Sequence, residues 1–479
     1  MPNRTGFSGE RPGGASRPAR KNRSAPRGPG ASSPVRDARD AAARVLTLHA
    51  KRFPDLAPET VPTDGLEPRE AALAHAIVDL SLRHWLTLET VLGMYTSQPV
   101  RNLEPRMRAA LLMGAAQLLY MDRVPPHAAV TSAVEWVKHA IRPKAGGMVN
   151  AVLRRVSELI ERDSEGRGVR RETWDLARDA LPLGDARALA LREAVLPSDE
   201  LGRLEAGASV PRTLLQRWSS RLPTDEVRRL ALQTLSSPPT VVCVAHAGEP
   251  LPTGLEAHES ASHRVFTGSH AELRALLGSR DDLWVQDVSS SGAVENVRDL
   301  RPGVVLDMCA GLGTKTRQLR ATFPEAEILA TDADASKLPI LAGVFAGDAR
   351  VTVAPIERVR ELALGRADLI LLDVPCSNTG VLARRVEAAY RCGPSRIERL
   401  ADQQRQIVAD AIPLLASGGA ILYATCSLEP EENEQIAAWA AQWHRFRIER
   451  ARSAMPAGGG AEPPSAWRDG AYSVLLRWA

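Results

Sequence analysis

Short apolar segments alternate with helical segments from residue 283 to the end of the chain, and this alternation constrains the fold more than any other feature. Strands that are separated by helices must cross over and pair in parallel, which predicts βαβ units and a doubly wound α/β sheet of the Rossmann type. Ligands bind such sheets beyond the carboxyl ends of the strands. The predicted strands are residues 303–307, 327–331, 351–353, 367–373 and 419–425, and the predicted helices are 314–322, 336–345 and 397–415.

A different pattern covers residues 37–162. Apolar residues recur there at helical spacing in successive runs, and the short connections contain helix breakers such as Pro105, Pro125 and Pro126. We therefore predict an all-α bundle, followed by a linker and a small α/β subdomain over residues 163–283 and by the α/β domain over residues 284–479. The helical runs of the bundle are predicted from Ala41 onward and at residues 71–86, 107–120, 128–141 and 148–160.

The composition limits the class of protein. Of the 479 residues, 44% are hydrophobic and 25% are charged, which is typical of globular proteins and excludes a wholly disordered chain. No apolar run approaches the roughly 18 residues that a membrane-spanning helix needs. The five cysteines do not form paired CxxC motifs, so we expect neither a disulfide framework nor a structural zinc site, and we expect a monomer in the reducing cytoplasm.

Residues 1–36 form a basic segment that is rich in Gly, Pro and Ser. It contains eight basic residues and one acidic residue, whereas the whole chain has a net charge of only +4. Such a segment cannot bury enough apolar surface to fold, so we expect disorder. It could be an arm that binds nucleic acid or a solubilising tail. A mitochondrial-type targeting peptide is a third option, but the Gly and Pro content disfavours the amphipathic helix that such a peptide forms.

A glycine-rich turn follows the first predicted strand of the α/β domain. Glycines let the backbone approach a ligand there, and the next helix offers free N–H groups. Asp332 ends the second strand, 19 residues after Gly313, where an acid can bind both hydroxyls of a ribose. Because the GxxxxGK[ST] pattern of ATP-binding loops is absent, we predict another adenosine-containing cofactor. Glu357, after the third strand, is either an adenine ligand or an ordinary surface residue. The turn comprises Cys309, Ala310, Gly311, Leu312, Gly313, Thr314 and Lys315.

Two further strands are each followed by a cysteine. Cys376 comes shortly after the strand that ends at Asp373, and Cys426 comes directly after the strand 419–425. A single cysteine in such a place is usually a buried structural residue, as we expect for Cys243 and Cys392. Two cysteines and an acid at the same sheet edge as a cofactor turn instead indicate nucleophilic catalysis with acid–base assistance.

Two stretches of the chain resemble known families. Residues 111–130 and 149–155 resemble NusB-like RNA-binding domains. The motifs at residues 284–287, 309–316, 373–380 and 424–427, together with a final hairpin around residues 469–477, resemble RNA cytosine-5 methyltransferases of the Sun/Fmu family. The combination of both halves is similar to the bacterial enzymes that modify the RNA of the small ribosomal subunit.

The resemblance implies a function and a role for each motif residue. The expected fold is a class I methyltransferase domain, the cofactor is S-adenosylmethionine and the substrate is 16S rRNA, free or in an assembling subunit. By analogy, Cys426 attacks C6 of the cytosine, Cys376 assists product release and Asp373 binds N3. The residues from Cys309 to Lys315, Asp332, Glu357 and Asp373 would bind the cofactor.

This sequence departs from the family pattern at several positions. Its turn reads CAGLGTKT where the family usually has CAAPGGKT, Glu357 replaces an Asp, and residues 381–391 lack the usual Arg/Pro-rich pattern. Two other functions stay open at this point: a non-catalytic RNA-binding or ribosome-assembly factor with a degenerate methyltransferase fold, and a transfer-RNA cytosine-5 methyltransferase.

Overall fold

The computed structural model describes residues 34–478. Most of the basic segment, residues 1–33, lies outside this range, so the expectations about it stay predictions. Within the described range no helix is both long and apolar enough to cross a membrane.

The first part of the chain is a bundle of six helices. Pro68, Pro105 and Pro126 stand in the first turns of three of them, where the missing N–H group costs no hydrogen bond. The sequence predicted one helix over residues 71–86, but the chain turns at His84 and a separate helix follows, which buries Trp85 in a stack on Phe53 with ring centroids 5.4 Å apart. The helices are α1 (Ala38–Arg52), α2 (Pro68–Arg83), α3 (Trp85–Gly93), α4 (Pro105–Tyr120), α5 (Pro126–Ala140) and α6 (Ala145–Leu159).

The segment 163–283 contains more regular structure than the sequence indicated. A small antiparallel sheet and three helices pack on the bundle and share one continuous hydrophobic core with it. These elements are β1 (Arg170–Arg171), β2 (Ala180–Pro182), β3 (Ala188–Ala190), α7 (Glu200–Ala208), α8 (Arg212–Ser219) and α9 (Thr224–Gln233).

A four-stranded antiparallel sheet follows, in the order β5-β6-β4-β7. Its last strand contains the Trp-Val pair of the 284–287 motif, so this motif begins in the small sheet. The elements are β4 (Thr240–Cys243), β5 (Leu255–Ala257), β6 (His263–Phe266), α10 (His270–Ser279) and β7 (Trp284–Val285).

The remaining chain forms the doubly wound domain, which confirms the predicted fold class. Its seven strands have the order β10-β9-β8-β11-β12-β14-β13, and all pairs are parallel except those that involve the last two strands. Side chains of β11 alternate between two cores on opposite faces of the sheet. The elements are α11 (Val288–Glu295), β8 (Val304–Asp307), α12 (Thr314–Thr322), β9 (Glu327–Ala330), α13 (Leu338–Val344), β10 (Val351–Val353), α14 (Ile356–Ala363), β11 (Ala367–Asp373), α15 (Val386–Arg391), α16 (Pro394–Ala411), β12 (Leu415–Thr425), α17 (Glu434–His444), β13 (Phe446–Ala454) and β14 (Ala471–Trp478).

The connection from β11 to α16 packs into the helical part of the molecule. Tyr390, on α15, is buried; its hydroxyl donates to the carbonyl of Leu82 at 2.6 Å and lies 2.9 Å from the hydroxyl of Ser209. The buried guanidinium of Arg83 donates to the carbonyl of Ala383 at 3.0 Å. The helical bundle therefore holds a segment that begins next to Cys376.

Candidate active site

The glycine-rich turn lies where the strand order reverses, between β8 and β11, which is the usual place for a ligand in such a sheet. Gly311 and Gly313 have φ angles of +58° and +91°, a region that side chains other than glycine rarely adopt. A Cβ atom at Gly313 would lie only 2.9 Å from Leu341. The turn then passes into α12 at Thr314, as the sequence predicted.

Asp332 lies beside this turn. Its Oδ2 atom accepts a hydrogen bond from the Gly311 N–H at 2.9 Å, and its Oδ1 atom accepts one from the Asp334 N–H at 2.8 Å. The ammonium group of Lys337 is 3.2 Å from Oδ1 and 3.3 Å from Oδ2. The Lys337 side chain is 37% exposed and can turn into solvent, which would leave the Asp332 carboxylate open to another donor.

A second carboxyl group lies beneath the turn. Asp307 is fully buried at the end of β8, and its Oδ2 atom accepts a hydrogen bond from the Thr316 hydroxyl at 2.7 Å. Burial raises the pKa of Asp307 to about 7, with a further contribution from the charge of Asp373. Asp307 is enclosed beneath the turn, so its contact with Thr316 fixes the start of α12.

The structure brings the two predicted cysteines together. The Sγ atoms of Cys376 and Cys426 are 3.3 Å apart, although 50 residues separate them in sequence. The hydrogen bond to Cys426, together with burial, raises the pKa of Cys376 well above its ordinary value, so Cys376 keeps its proton. Cys426 also lies 3.3 Å from the side-chain oxygen of Asn378 and lines an open cavity.

A lysine–aspartate pair lies in the same cavity. The Lys315 ammonium is 2.7 Å from Asp373 Oδ2. Burial alone would lower the pKa of Lys315, but the charges of Asp373, Cys426 and Asp307 outweigh this effect and raise the pKa. The pair lines the same cavity as Cys426, which the family resemblance implies is the nucleophile.

The sequence did not identify Glu432, which joins the two cysteine loops. This buried carboxylate accepts hydrogen bonds from the Ser377 N–H at 2.9 Å, from the Ser377 and Ser427 hydroxyls and from Gln404 Nε2 at 3.1 Å. Ser377 and Ser427 each follow one of the cysteines directly. The only hint in the sequence is an acidic residue shortly after the second cysteine motif.

The cavity that holds Cys426, Lys315 and Asp373 has a volume of about 430 Å³. Asp287 and Asp469 also line this cavity, and both lie near Arg384. The Arg384 guanidinium is 3.7 Å from the Asp287 carboxylate and 2.7 Å from the Asp469 carboxylate. Burial and the charge of Asp469 raise the pKa of Asp287 to about 6. The cavity is large enough for one nucleotide base with part of its sugar.

Glu357 does not lie in this cavity. It is exposed in the first turn of α14, beyond the end of β10, on the side of the sheet where Asp332 stands. Cys243 and Cys392 are buried, and burial raises the pKa of each, consistent with structural roles.

Comparisons with known proteins agree with this geometry. Residues 299–457 match the family described as 16S rRNA methyltransferase RsmB/F, and residues 36–158 match the NusB family. The two matched regions lie in the doubly wound domain and in the helical bundle. These matches indicate an S-adenosylmethionine-dependent RNA methyltransferase, as the resemblance to the Sun/Fmu family implied.

Relatives of this methyltransferase share its length. It is 28% identical over 425 residues to the ribosomal RNA small subunit methyltransferase B of Vibrio cholerae, covering 86% of this chain and 90% of the relative. It is 29% identical to the protein of the same name from Citrobacter koseri, covering 77% and 81%. The crystal structure of PH0851 has the same fold, with a TM-score of 0.66 at 20% identity over 93% of this chain and 99% of that one.

Proposed function

We propose that this methyltransferase transfers a methyl group from S-adenosylmethionine to C5 of a cytidine in 16S rRNA, through a covalent bond between Cys426 and C6. The observation that carries the proposal is the pair of thiols 3.3 Å apart beside the Lys315–Asp373 ion pair. Cytosine C5 is a poor nucleophile, and addition of a thiolate at C6 turns the ring into an enamine that can take a methyl group at C5.

The protein residues around the turn fit the cofactor. Gly311 leaves open space where a side chain would project, and Asp332 supplies acceptor oxygens beside it. In this proposal Asp332 binds the ribose, the turn from Cys309 to Lys315 contacts the rest of the molecule and Glu357 reaches the adenine. When bound, the sulfonium of S-adenosylmethionine supplies the electrophilic methyl group.

The roles of the two cysteines follow from their surroundings. Cys426 lines the cavity together with Lys315 and Asp373, where a cytosine base can reach its sulfur, so in this proposal Cys426 attacks C6. Asp373 holds N3 through a shared proton, which neutralises the negative charge that develops on that nitrogen. In the last stage a water molecule takes the C5 proton, and the C5–C6 double bond re-forms as the Cys426–C6 bond breaks. Cys376 is buried and retains its proton, so its thiol can donate a hydrogen bond to the departing Cys426 sulfur, 3.3 Å away.

Substitution of each cysteine tests these roles separately. The Cys426→Ala variant should form no adduct and no product, whereas Cys376→Ala should attack and methylate the RNA but release it slowly. Protein cross-linked to RNA should then accumulate on a denaturing gel for Cys376→Ala alone. Accumulation with Cys426→Ala would reverse the roles, and unchanged methyl transfer by both variants would refute the catalytic proposal. Cys243→Ala, which alters a cysteine distant in sequence from both motifs, is the matched control.

The substrate is tested independently. Bisulfite sequencing of ribosomal and transfer RNA from a deletion strain should show one or more 16S rRNA cytidines that lose their modification. Loss confined to transfer RNA would favour the alternative substrate, and no loss in either RNA would favour the assembly-factor alternative.

A further inference from the structure

A basic cavity lies at the tip of the helical bundle, away from the cysteines. It has a volume of about 640 Å³ and is formed by the α4–α5 connection on one side and the small sheet β1-β3-β2 on the other. Its floor includes apolar side chains such as Leu118 and Val124. Five arginines line it against two aspartates: Arg123, Arg162, Arg167, Arg170 and Arg187, with Asp122 and Asp163.

The arginines of the basic cavity are available to an anionic ligand. Arg170 pairs with Asp122, which is 76% exposed, and Arg187 pairs with the exposed Asp185. Exposed ion pairs of this kind contribute only about 0–1 kcal/mol, so phosphate groups can replace the aspartates at little cost. No other side chain among residues 34–478 pairs with the exposed Arg123.

The basic cavity continues toward the active site. Arg170 and Arg187 also line a neighbouring cavity of about 540 Å³ that extends to Pro239 and Trp467. The next residue along this path is Arg384, which donates a hydrogen bond to the Pro239 carbonyl at 3.2 Å and lies over the Trp467 ring at 5.9 Å. Arg384 itself lines the cavity that contains Cys426. Arg170 and Arg187 therefore connect the first cavity with the second, and Arg384 connects the second with the third; we call these three cavities together the groove.

We propose that this groove binds the single-stranded RNA that flanks the target cytidine, with backbone phosphates on Arg123, Arg170 and Arg187. The proposal rests on the proposed function. Cavities of a few hundred Å³ hold a few small groups, such as one or two nucleotides, rather than a duplex. The target base must also leave its stack to reach Cys426, so its neighbours are presented as a single strand. Guanidinium groups suit a single-stranded RNA because they pair with its phosphates and stack on its bases.

The test compares RNA fragments that carry the target cytidine with single-stranded flanks of increasing length. For the wild type, affinity should rise when a flank becomes long enough to reach the basic cavity. The Arg170→Gln/Arg187→Gln double variant should lose this gain and bind the long fragment roughly tenfold more weakly. Its salt slope should be lower by about 1.4, since each phosphate contact on a single strand contributes about 0.7. Its KM for the long RNA should rise while its affinity for S-adenosylmethionine stays at the wild-type value.

Two comparisons make the result specific. Arg274→Gln/Arg399→Gln removes two exposed arginines that line none of the three cavities, and it should retain wild-type binding. Lysine at positions 170 and 187 keeps the charge and should restore most of the affinity. If the glutamine and lysine variants both lose affinity and both unfold at a clearly lower temperature than the wild type, the loss is one of folding and the proposal is overturned.

Other outcomes also decide the matter. The wild type could methylate its RNA while the double variants show unchanged affinity and salt slope. This result would refute RNA binding by the groove and leave the proposed function intact. A wild-type protein that methylates no cytidine would instead refute the proposed function. If the variants bind naked RNA normally but fail only on assembled small-subunit particles, the groove binds a ribosomal protein and the RNA proposal is wrong.

Discussion

Replacement of Glu432 by glutamine should uncouple the two cysteine loops. The Glu432 carboxylate accepts four hydrogen bonds, from the Ser377 N–H, the Ser377 and Ser427 hydroxyls and the Gln404 amide. Glutamine has the same shape but only one acceptor oxygen, and its NH₂ group would face donors. At least one of the donors around residue 432 then loses its hydrogen bond to this side chain.

The size of the effect follows from two opposing contributions. Hydrogen bonds to a charged group contribute roughly 1.5–3 kcal/mol each, so the loss of two would cost about 3–6 kcal/mol. Burial raises the pKa of Glu432, which means that its charge is costly to keep in the folded protein, and the neutral glutamine avoids that cost. We therefore expect a net destabilisation below that range, about 2 kcal/mol. Because displacement of a reacting group by about 1 Å can cost 100-fold in rate, the activity should fall further than the stability.

The assay is single-turnover methyl transfer to the target RNA, with calorimetry of S-adenosylmethionine binding in parallel. The rate for Glu432→Gln should fall by about two orders of magnitude, while cofactor affinity stays unchanged because the carboxylate contacts neither Asp332 nor the turn. Glu434→Gln, an exposed acid two residues further on, should behave as the wild type. A wild-type rate for Glu432→Gln would show that the cysteines keep their places without this carboxylate.

Four other changes have expected outcomes. Asp332→Ala should weaken S-adenosylmethionine binding at least tenfold by calorimetry, since charged hydrogen bonds to the ribose are lost, and unchanged affinity would refute the ribose assignment. Lys337→Met should strengthen cofactor binding several-fold because it removes the group that occupies Asp332, and weaker binding would show that Lys337 contacts the cofactor. Deletion of residues 1–36 should lower the salt slope of RNA binding, whereas an identical slope would show that the segment makes no phosphate contacts. Because burial raises the pKa of Asp307 from 3.8 to about 7, its ionisation in the folded protein is unfavourable and stability should fall as the pH rises through this interval. Asp307→Asn should make that fall smaller, on the order of a few kcal/mol in urea unfolding, and leave the part that Asp287 contributes, while the exposed control Asp410→Asn keeps the whole fall.

Local features of the sequence were sufficient for the architecture of the catalytic domain. Alternating strands and helices predicted the parallel sheet, and the glycine turn with Asp332 marked its ligand-binding edge. The same logic placed Cys376 and Cys426 near each other, because the carboxyl ends of parallel strands meet at one edge. These inferences succeed because strand alternation, glycine conformation and strand ends depend on neighbouring residues.

Only the tertiary structure could reveal the contacts that support the site. Glu432 binds the backbone of Ser377, 55 residues away, and Tyr390 donates to the carbonyl of Leu82 across 308 residues. The short helix α3 was missed for a similar reason, since the turn at His84 depends on burial of Trp85 against Phe53. Neither composition nor periodicity records which distant segments will meet. Those pairings are decided when apolar surfaces are buried together, because every polar group that is enclosed must then find a hydrogen-bond partner, wherever in the chain that partner lies.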